Sequence, residues 1–524
     1  MRQRGGRQTG AWGSMRVWRS AIVLCLAVGV ATLATASRTR DLSAQSPGGT
    51  AEWSASVNVS NRPGRSRFPE LAADASGELH AFWEDDYEGD KPLIWGTGIF
   101  YAEWDGSGWS RPVDVLMSPG SFRWFAHIPA AAADPSGNLH VVWTNNSDLF
   151  YSHAPASTAQ DSRSWSTPKI IPGSEDPYFS DIAVDIQGTI HVAWQTLENP
   201  DIYYSHSTDG GGTWSRPVNV SWCPGIACGR AIIATDSRGD VYLVWGSHTQ
   251  ETATFDMTTD VYFSFSEDGG LSWSDPDKAS VDGELSGLPT LAVEPGGLAH
   301  ILWQEGTSAR VRLLHRAWER GAWSPVSEVF RVDDYPWSAF WPSAALDSAG
   351  GLHVVWSTAA GTPDKALGGV LYSSSSDGGR SWTPAHEIPG SRWLALNGWS
   401  PRPQIAVTRG HELHAVWHNC TSEDECEILA SGAGVEAPMT GVSTAAQPVQ
   451  RESQSTPRTA TPTTTSDTAA SVWTPVPTPS LNTTSWAASA PRAVNRGSGQ
   501  VVGVALGSCV AVLTMTVILA ARRH

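Results

Sequence analysis

Hydrophobic and polar positions alternate along this chain in short runs, and the runs recur in one setting. The clearest is the ten-residue phrase DASGELHAFW at 74–83. It returns as DPSGNLHVVW at 134–143, DIQGTIHVAW at 185–194, DSRGDVYLVW at 236–245, EPGGLAHILW at 294–303, DSAGGLHVVW at 347–356 and TRGHELHAVW at 408–417. Alternation of this kind predicts a half-buried β-strand rather than a helix. The Asp-x-x-Gly opening is turn chemistry, because Asp hydrogen-bonds the turn backbone and Gly accepts a positive φ. Each phrase therefore predicts a tight turn feeding a strand. Seven copies, with tryptophans 51 to 61 residues apart, mark a repeat architecture with insertions in its loops.

The third unit shows four short strands: SDIAVD at 180–185, GTIHVAW at 188–194, DIYYSH at 201–206 and WSRPVNV at 214–220. Four strands per repeat predict a β-propeller blade. The fourth-strand phrase recurs after Trp109, Trp165, Trp273, Trp323 and Trp382, but the seventh unit lacks it. Its counterpart stands before the first repeat, as WSASVNVS at 53–60. An N-terminal strand that completes the last blade would close the ring and remove its open edges. The expected fold is all-β: a seven-bladed propeller of four-stranded blades over residues 51–434, with Trp53–Asn58 pairing near Ile428–Ser431.

Between the third and fourth strands lies a second motif, STDGGGTW at 207–214, SEDGGLSW at 266–273 and SSDGGRSW at 375–382. Degenerate forms end at Trp109, Trp165 and Trp323. The motif resembles the Asp box of the bacterial neuraminidase repeat, which marks sialidase-like propellers. In that family the box is a structural turn, so Asp209, Asp268 and Asp377 are expected to cap turn amides while the following Trp packs the turn down.

Ligand sites of propellers lie where the inner strands begin, at the mouth of the central channel. Seven residues before each repeat acid, or before Thr408 in the seventh repeat, stand Arg67, His127, Tyr178, Gly229, Gly287, Phe340 and Pro401. Six before stand Phe68, Ile128, Phe179, Arg230, Leu288, Trp341 and Arg402. Three arginines thus reach the mouth, from blades 1, 4 and 7. Sialidases hold the substrate carboxylate with three arginines, and bidentate guanidinium contacts explain why. The resemblance therefore makes Arg67, Arg230 and Arg402 expected ligand-binding residues, with His127 and Trp341 beside them. SRFPELAADASGELHAFWEDD at 66–86 is similar to the sialidase opening, although Phe68 replaces Ile there. By that likeness a general acid is sought among Asp85, Asp86 and Asp90. A tyrosine nucleophile paired with glutamate is sought at Tyr178 or Tyr335, by position alone. Known sialidases have six blades where this chain shows seven repeats. Aromatic residues at 333–341, Trp393 beside Arg392, and Trp399 are further places for sugar rings to stack.

Seven aligned residues, His80, His140, His191, Tyr242, His300, His353 and His414, invite a metal reading. One position in seven different blades holds them apart, so no metal and no cofactor is expected.

Net charge is −17 and no basic stripe is visible, which argues against a nucleic-acid partner. Of six Cys, four form two close pairs, Cys223 with Cys228 and Cys420 with Cys426. Local disulfides in an oxidising compartment are the expected reading. Residues 1–36 read as a secretory signal, with Arg4, Arg7, Arg16 and Arg19 before an apolar run and Ala34-Thr35-Ala36 at its end; translation from either Met1 or Met15 fits. Residues 435–499 are rich in Ser, Thr, Pro and Ala and read as an extended stalk. Residues 500–521 are uncharged and long enough to span a bilayer, and 522–524 form a basic tail expected in the cytoplasm. The whole predicts a single-pass, membrane-anchored protein with an extracytoplasmic propeller. Its expected role is recognition of a glycan or a surface protein at the channel mouth. An exo-acting sialidase or related glycoside hydrolase is the alternative, and a structural adhesion or surface-layer component a third. Oligomeric state is not legible.

Overall fold

The computed structural model describes residues 51–440, apart from 87–96, 118–126, 146, 198–199, 224–226, 249–259, 282–283, 308–309, 332–337, 361–365, 396–400 and 423–424. The signal-like segment, most of the stalk and the apolar run at 500–521 lie outside the described residues. Among the described residues no helix is long and apolar enough to cross a membrane.

Seven antiparallel sheets follow the seven repeats. Their innermost strands are Arg67–Ala73, His127–Ala133, Pro177–Val184, Ala227–Thr235, Leu285–Val293, Ser338–Leu346 and Gln404–Thr408. Each of these contacts the next, and the last contacts the first, which closes a ring. The second strand of each blade carries the repeated Trp. All seven tryptophans, from Trp83 to Trp417, are completely buried. The half-buried strand expected from alternation is in fact buried on both faces, as in Asn138–Thr144. A blade is flanked by two other blades, so neither face of its middle strands meets solvent.

The core is accordingly divided into seven wedges, one per blade interface. Phe82, Ile99 and Tyr101 of blade 1 pack on Leu139, Val141 and Trp143 of blade 2, and the pattern continues around the ring to Val416, Ile428 and Ala430 packing on Leu79, Ala81 and Trp83.

Closure uses the N-terminal segment. Val57 pairs with Ala430 and Asn58 with Leu429. The N–H of Ser54 donates to Gly432 O at 2.8 Å, and that of Val59 to Ile428 O at 2.7 Å. Trp53 stacks edge-on against Tyr372, 5.3 Å between centroids.

Two of the aligned histidines, His140 and His191, form a relay between neighbouring blades. His191 hydrogen-bonds Asp185 of its own turn at 3.3 Å and the Tyr204 hydroxyl at 2.7 Å. That hydroxyl also reaches Gly269 O in the Asp box of the following blade, at 3.4 Å. His140 and Tyr151 repeat the arrangement onto Gly210. The next glycine of each box, Gly211 or Gly270, has φ +80° or +87° and lies against that tyrosine ring. A Cβ there would be strained and would collide with the ring. Within each box the Asp acts as expected of a turn cap: Asp268 accepts from Ser266 Oγ, Ser272 N and Ser272 Oγ. These hydrogen bonds hold Asp209, Asp268 and Asp377 down to about 2.

Tyr204→Phe is expected to cost about 1–3 kcal/mol, the typical penalty for a buried polar group left unsatisfied, because His191 loses its partner. Calorimetric melting checks this, and an unchanged melting temperature would deny the relay a structural role.

Candidate functional site

The mouth is built by one repeated distortion. In blades 1 to 6 the register of the inner strand shifts just after its first paired residues, as between Arg67 and Glu70 or Gly229 and Ile232. A bulge of this kind bends a strand and re-aims a side chain. Within it Phe68, Ile128, Arg230, Leu288 and Trp341 have φ between 42° and 54°. These are five of the seven positions that lie six residues before a repeat acid. Left-handed backbone at bulky residues is costly and collects at ligand sites. Proline follows in blades 1, 2, 5, 6 and 7, at Pro69, Pro129, Pro289, Pro342 and Pro403. It suits a bulge because the unpaired position needs no N–H.

The re-aimed side chains converge. The Arg402 guanidinium carbon lies 3.8 Å from the Trp341 ring centroid, 4.4 Å from Phe68 and 5.1 Å from Phe179. Arg230 lies 4.8 Å from the same Trp341 ring. The two guanidinium carbons are therefore no more than 8.6 Å apart, the two distances to the shared ring laid end to end. Arg67 lies 5.6 Å from the Phe68 ring, which bounds its distance to Arg402 at 10.0 Å by the same step.

The charges around these groups differ. Glu84, one residue past the Trp of blade 1, is fully buried. It accepts from Arg67 Nη2 at 3.1 Å and from the N–H of Ile128 at 3.4 Å, and lies 2.8 Å from His127 Nδ1. Burial alone would raise its pKa, but His127 and Arg67 more than offset this and hold it below the ordinary carboxylate value. Gln195, at the same position of blade 3, accepts the N–H of Arg230 at 3.1 Å. In blades 1 and 3 the residue after the Trp thus anchors the bulge of the next blade.

One layer deeper stand Glu70, Asp181, Ser343 and Gln404, each four residues before a repeat acid or its equivalent. Gln404 Nε2 donates to Glu70 at 3.0 Å, and Ser343 Oγ donates to Gln404 Oε1 at 2.8 Å. The N–H of Ile233 donates to Asp181 at 2.8 Å. Burial, and then the charge of Asp181, push Glu70 well above its usual value. Burial pushes Asp181 up to about 6, opposed by its backbone hydrogen bonds and by Arg230. Burial, with Arg402 and Arg67 nearby, holds the His418 imidazole down to about 3 and therefore neutral.

Two of the acidic residues expected at the mouth, Asp85 and Asp86, are engaged within the protein. Asp85 is fully buried and accepts from Ser66 Oγ at 2.7 Å and Trp83 Nε1 at 3.4 Å. Its side chain serves the blade interior, and burial raises it to about 6. Asp86 is taken by Arg65, 2.6 Å from its Nε. Tyr178 is half-buried, edge-on to Phe179 at 4.5 Å. Asp90, Tyr335 and Trp399 lie outside the described residues. Trp393 is buried and Arg392 pairs with Glu387, so neither is a free sugar platform. Cys223 is bonded to Cys228, and Cys420 to Cys426; the first bridge lies beside Arg230, at the start of its strand.

Glu84, Glu70 and Asp181 were not assigned from sequence, whereas Trp341, which meets Arg402, was. Their signal was available, as departures from the apolar or neutral residue at a fixed offset from the repeat.

Seven blades in a closed ring, three of them carrying an Asp box between the third and fourth strands, define a β-propeller. No protein-family model matches the chain, and no curated protein matches it. Among solved structures it is similar to a polysaccharide lyase, an ulvan lyase bound to a glucuronate–sulfated rhamnose ligand, with 13% identity, coverage of 71% of this chain and 95% of that one, and a TM-score of 0.49. It is also similar to the α-L-arabinanase of Penicillium chrysogenum in complex with arabinobiose (13%; 72% and 98%; 0.41). The NanB sialidase of Streptococcus pneumoniae is a further neighbour (12%; 75% and 71%; 0.38). At these identities the likeness is one of chain path.

Proposed function

We propose that the propeller is an extracytoplasmic binding module whose channel mouth takes the anionic residue of a glycan. The observation that carries this reading is the stack of Arg230 and Arg402 on one indole ring, Trp341. Guanidinium groups bind carboxylates in a fixed fork, and aromatic faces accept the apolar faces of sugar rings. The charge distribution supports the same ligand. The protein carries −17 overall, yet Glu84 is committed to Arg67 and His127, and Glu70 is driven toward its neutral form. Three guanidinium groups gathered at the mouth favour an anion there. Arg67, held by Glu84, backs the site, while Arg230 and Arg402 make the clamp. The signal-like start and the apolar run at 500–521 support a propeller carried outside the cell on a membrane-anchored stalk.

Calorimetric titration with N-acetylneuraminic acid and with glucuronic acid tests the reading. Arg402→Ala and Arg230→Ala are each expected to weaken binding roughly tenfold to a hundredfold, the loss of a charge-assisted bond. Absence of wild-type affinity for either acid at millimolar concentration rejects it.

The sign of the pH dependence follows from Asp181, which titrates near pH 6 beside Arg230. Its protonation removes a negative charge that competes for the guanidinium. Binding of the anion is expected to be tighter at pH 5 than at pH 7, and Asp181→Asn is expected to flatten that difference. Equal slopes in wild type and variant would remove Asp181 from the site.

A second reading, hydrolysis of the same glycan, is favoured by the two raised carboxylates beneath the arginines, since a general acid needs a pKa near its working pH. Turnover of fluorogenic sialosides or glucuronides, lost in Asp181→Asn, would support it.

A further inference from the structure

We infer that Trp222 is a stacking platform for a second sugar ring, so that the ligand at the mouth is an acidic oligosaccharide rather than a single acidic sugar. This rests on the anionic-glycan reading above.

Trp222 is three-quarters exposed (75%), and φ is +40°. Among the described residues no hydrogen bond or ring contact engages its side chain. Large residues in left-handed backbone need a reason, and packing supplies none here. The position itself repeats. It lies two residues past the last strand bond of the outer strand, after Val220 N donates to Ile202 O. At the same place blades 2 and 6 carry Gly173 and Gly390, with φ +75° and +77°, and the closing strand carries Asn61, with φ +42°. Glycine and asparagine are the residues such backbone favours. Blade 3 alone of these four places an indole there.

The backbone beneath it is held firmly. The N–H of Trp222 donates to Asn219 Oδ1 at 2.9 Å, and Asn219 Nδ2 donates to Asp201 at 2.9 Å. Asp201 also accepts from Ser221 Oγ and from the N–H of Cys223, both at 2.8 Å. Cys223 is then bonded to Cys228, two residues before Arg230 in the inner strand. The exposed ring is therefore displayed from a fixed support, which limits the ordering cost of binding.

Its place fits a neighbouring subsite. The outer strand Val218–Asn219 runs toward the end at which the next inner strand begins, so Trp222 stands on the mouth side of the ring. The Cα atoms of Cys223 and Cys228 are 5.7 Å apart. With about 3.8 Å for one peptide step and about 3.4 Å for each of two strand residues, the Trp222 and Arg230 Cα atoms lie within roughly 16 Å. A glycan whose acidic residue sits on Arg230 and Arg402 extends over that distance by adding further rings.

The test compares acidic mono- and oligosaccharides on the full-length protein by calorimetry: N-acetylneuraminic acid against sialyllactose, and glucuronic acid against a hyaluronan tetrasaccharide. An oligosaccharide is expected to bind more tightly than its monosaccharide. Trp222→Ala is expected to weaken the oligosaccharide roughly three- to tenfold, as for loss of an aromatic stacking contact, and to leave the monosaccharide unchanged. Trp222→Phe should retain most of the gain. Trp222→Gly should melt no lower than wild type, because it relieves the backbone. Equal oligosaccharide affinity in wild type and Trp222→Ala, or a lowered melting temperature for Trp222→Gly, overturns the inference while monosaccharide binding still upholds the anion site. Absence of all binding overturns the anionic-glycan reading itself.

Discussion

Deleting residues 51–60 is expected to leave the propeller open and prone to aggregation. The segment supplies the fourth strand of blade 7, through Val57 opposite Ala430 and Asn58 opposite Leu429. Its loss exposes the outer edge of Cys426–Gly434 to pairing with another molecule. It also strips two wedges of the core. Trp53, 8% exposed, packs between blades 6 and 7, and Val59, 2% exposed, packs between blades 7 and 1. Trp53→Ala alone is expected to cost about 3–5 kcal/mol, the usual range for a buried aromatic. Size-exclusion chromatography and thermal melting check both variants. A deletion variant that stays monodisperse and melts like wild type would show that the ring does not depend on this strand.

Glu84→Leu is expected to destabilise the protein by roughly 3–5 kcal/mol, because removing one partner of a buried ion pair strands the other. Arg67 loses its carboxylate, His127 loses its acceptor, and the N–H of Ile128 loses its anchor. The sign of the accompanying pH effect is fixed by the lowered pKa of Glu84. A carboxylate depressed in the folded state contributes stability above its unfolded value of about 4.5, and that contribution is lost as pH falls through the folded value. Wild type should therefore lose stability below pH 4.5 more steeply than Glu84→Leu does. The double variant Glu84→Leu/Arg67→Leu should recover part of the loss. Urea melts at pH 7 and pH 4 measure all three, and a Glu84→Leu protein as stable as wild type would mean that Arg67 needs no buried partner.

The closing strand and the glutamate differ in how far they could be read in advance. WSASVNVS was legible because it copies WSRPVNVS at a place where one repeat lacks its last strand. Blade number, strand order, the Asp-box turns and the offset of the mouth positions follow from the same one-dimensional periodicity, since each blade is a local hairpin series. The repeat also located Arg67, Arg230 and Arg402 at the mouth, by counting back from the turn acid.

What the arginines touch was settled by tertiary structure. Arg402 of blade 7 meets Phe68, Phe179 and Trp341, from blades 1, 3 and 6; such a meeting needs the closed ring and the strand bulges that turn Phe68 and Trp341 into left-handed backbone. Asp85 shows the converse. Its side chain turns to Ser66 and Trp83 of its own blade. Glu84, next to it, takes the charge-pairing role because its side chain crosses to blade 2 and meets His127 there. Local sequence determined the blades and their order, because turns and strands are short-range features. Only the ring decided which charges are buried and which meet one another, because those depend on residues brought together from different blades.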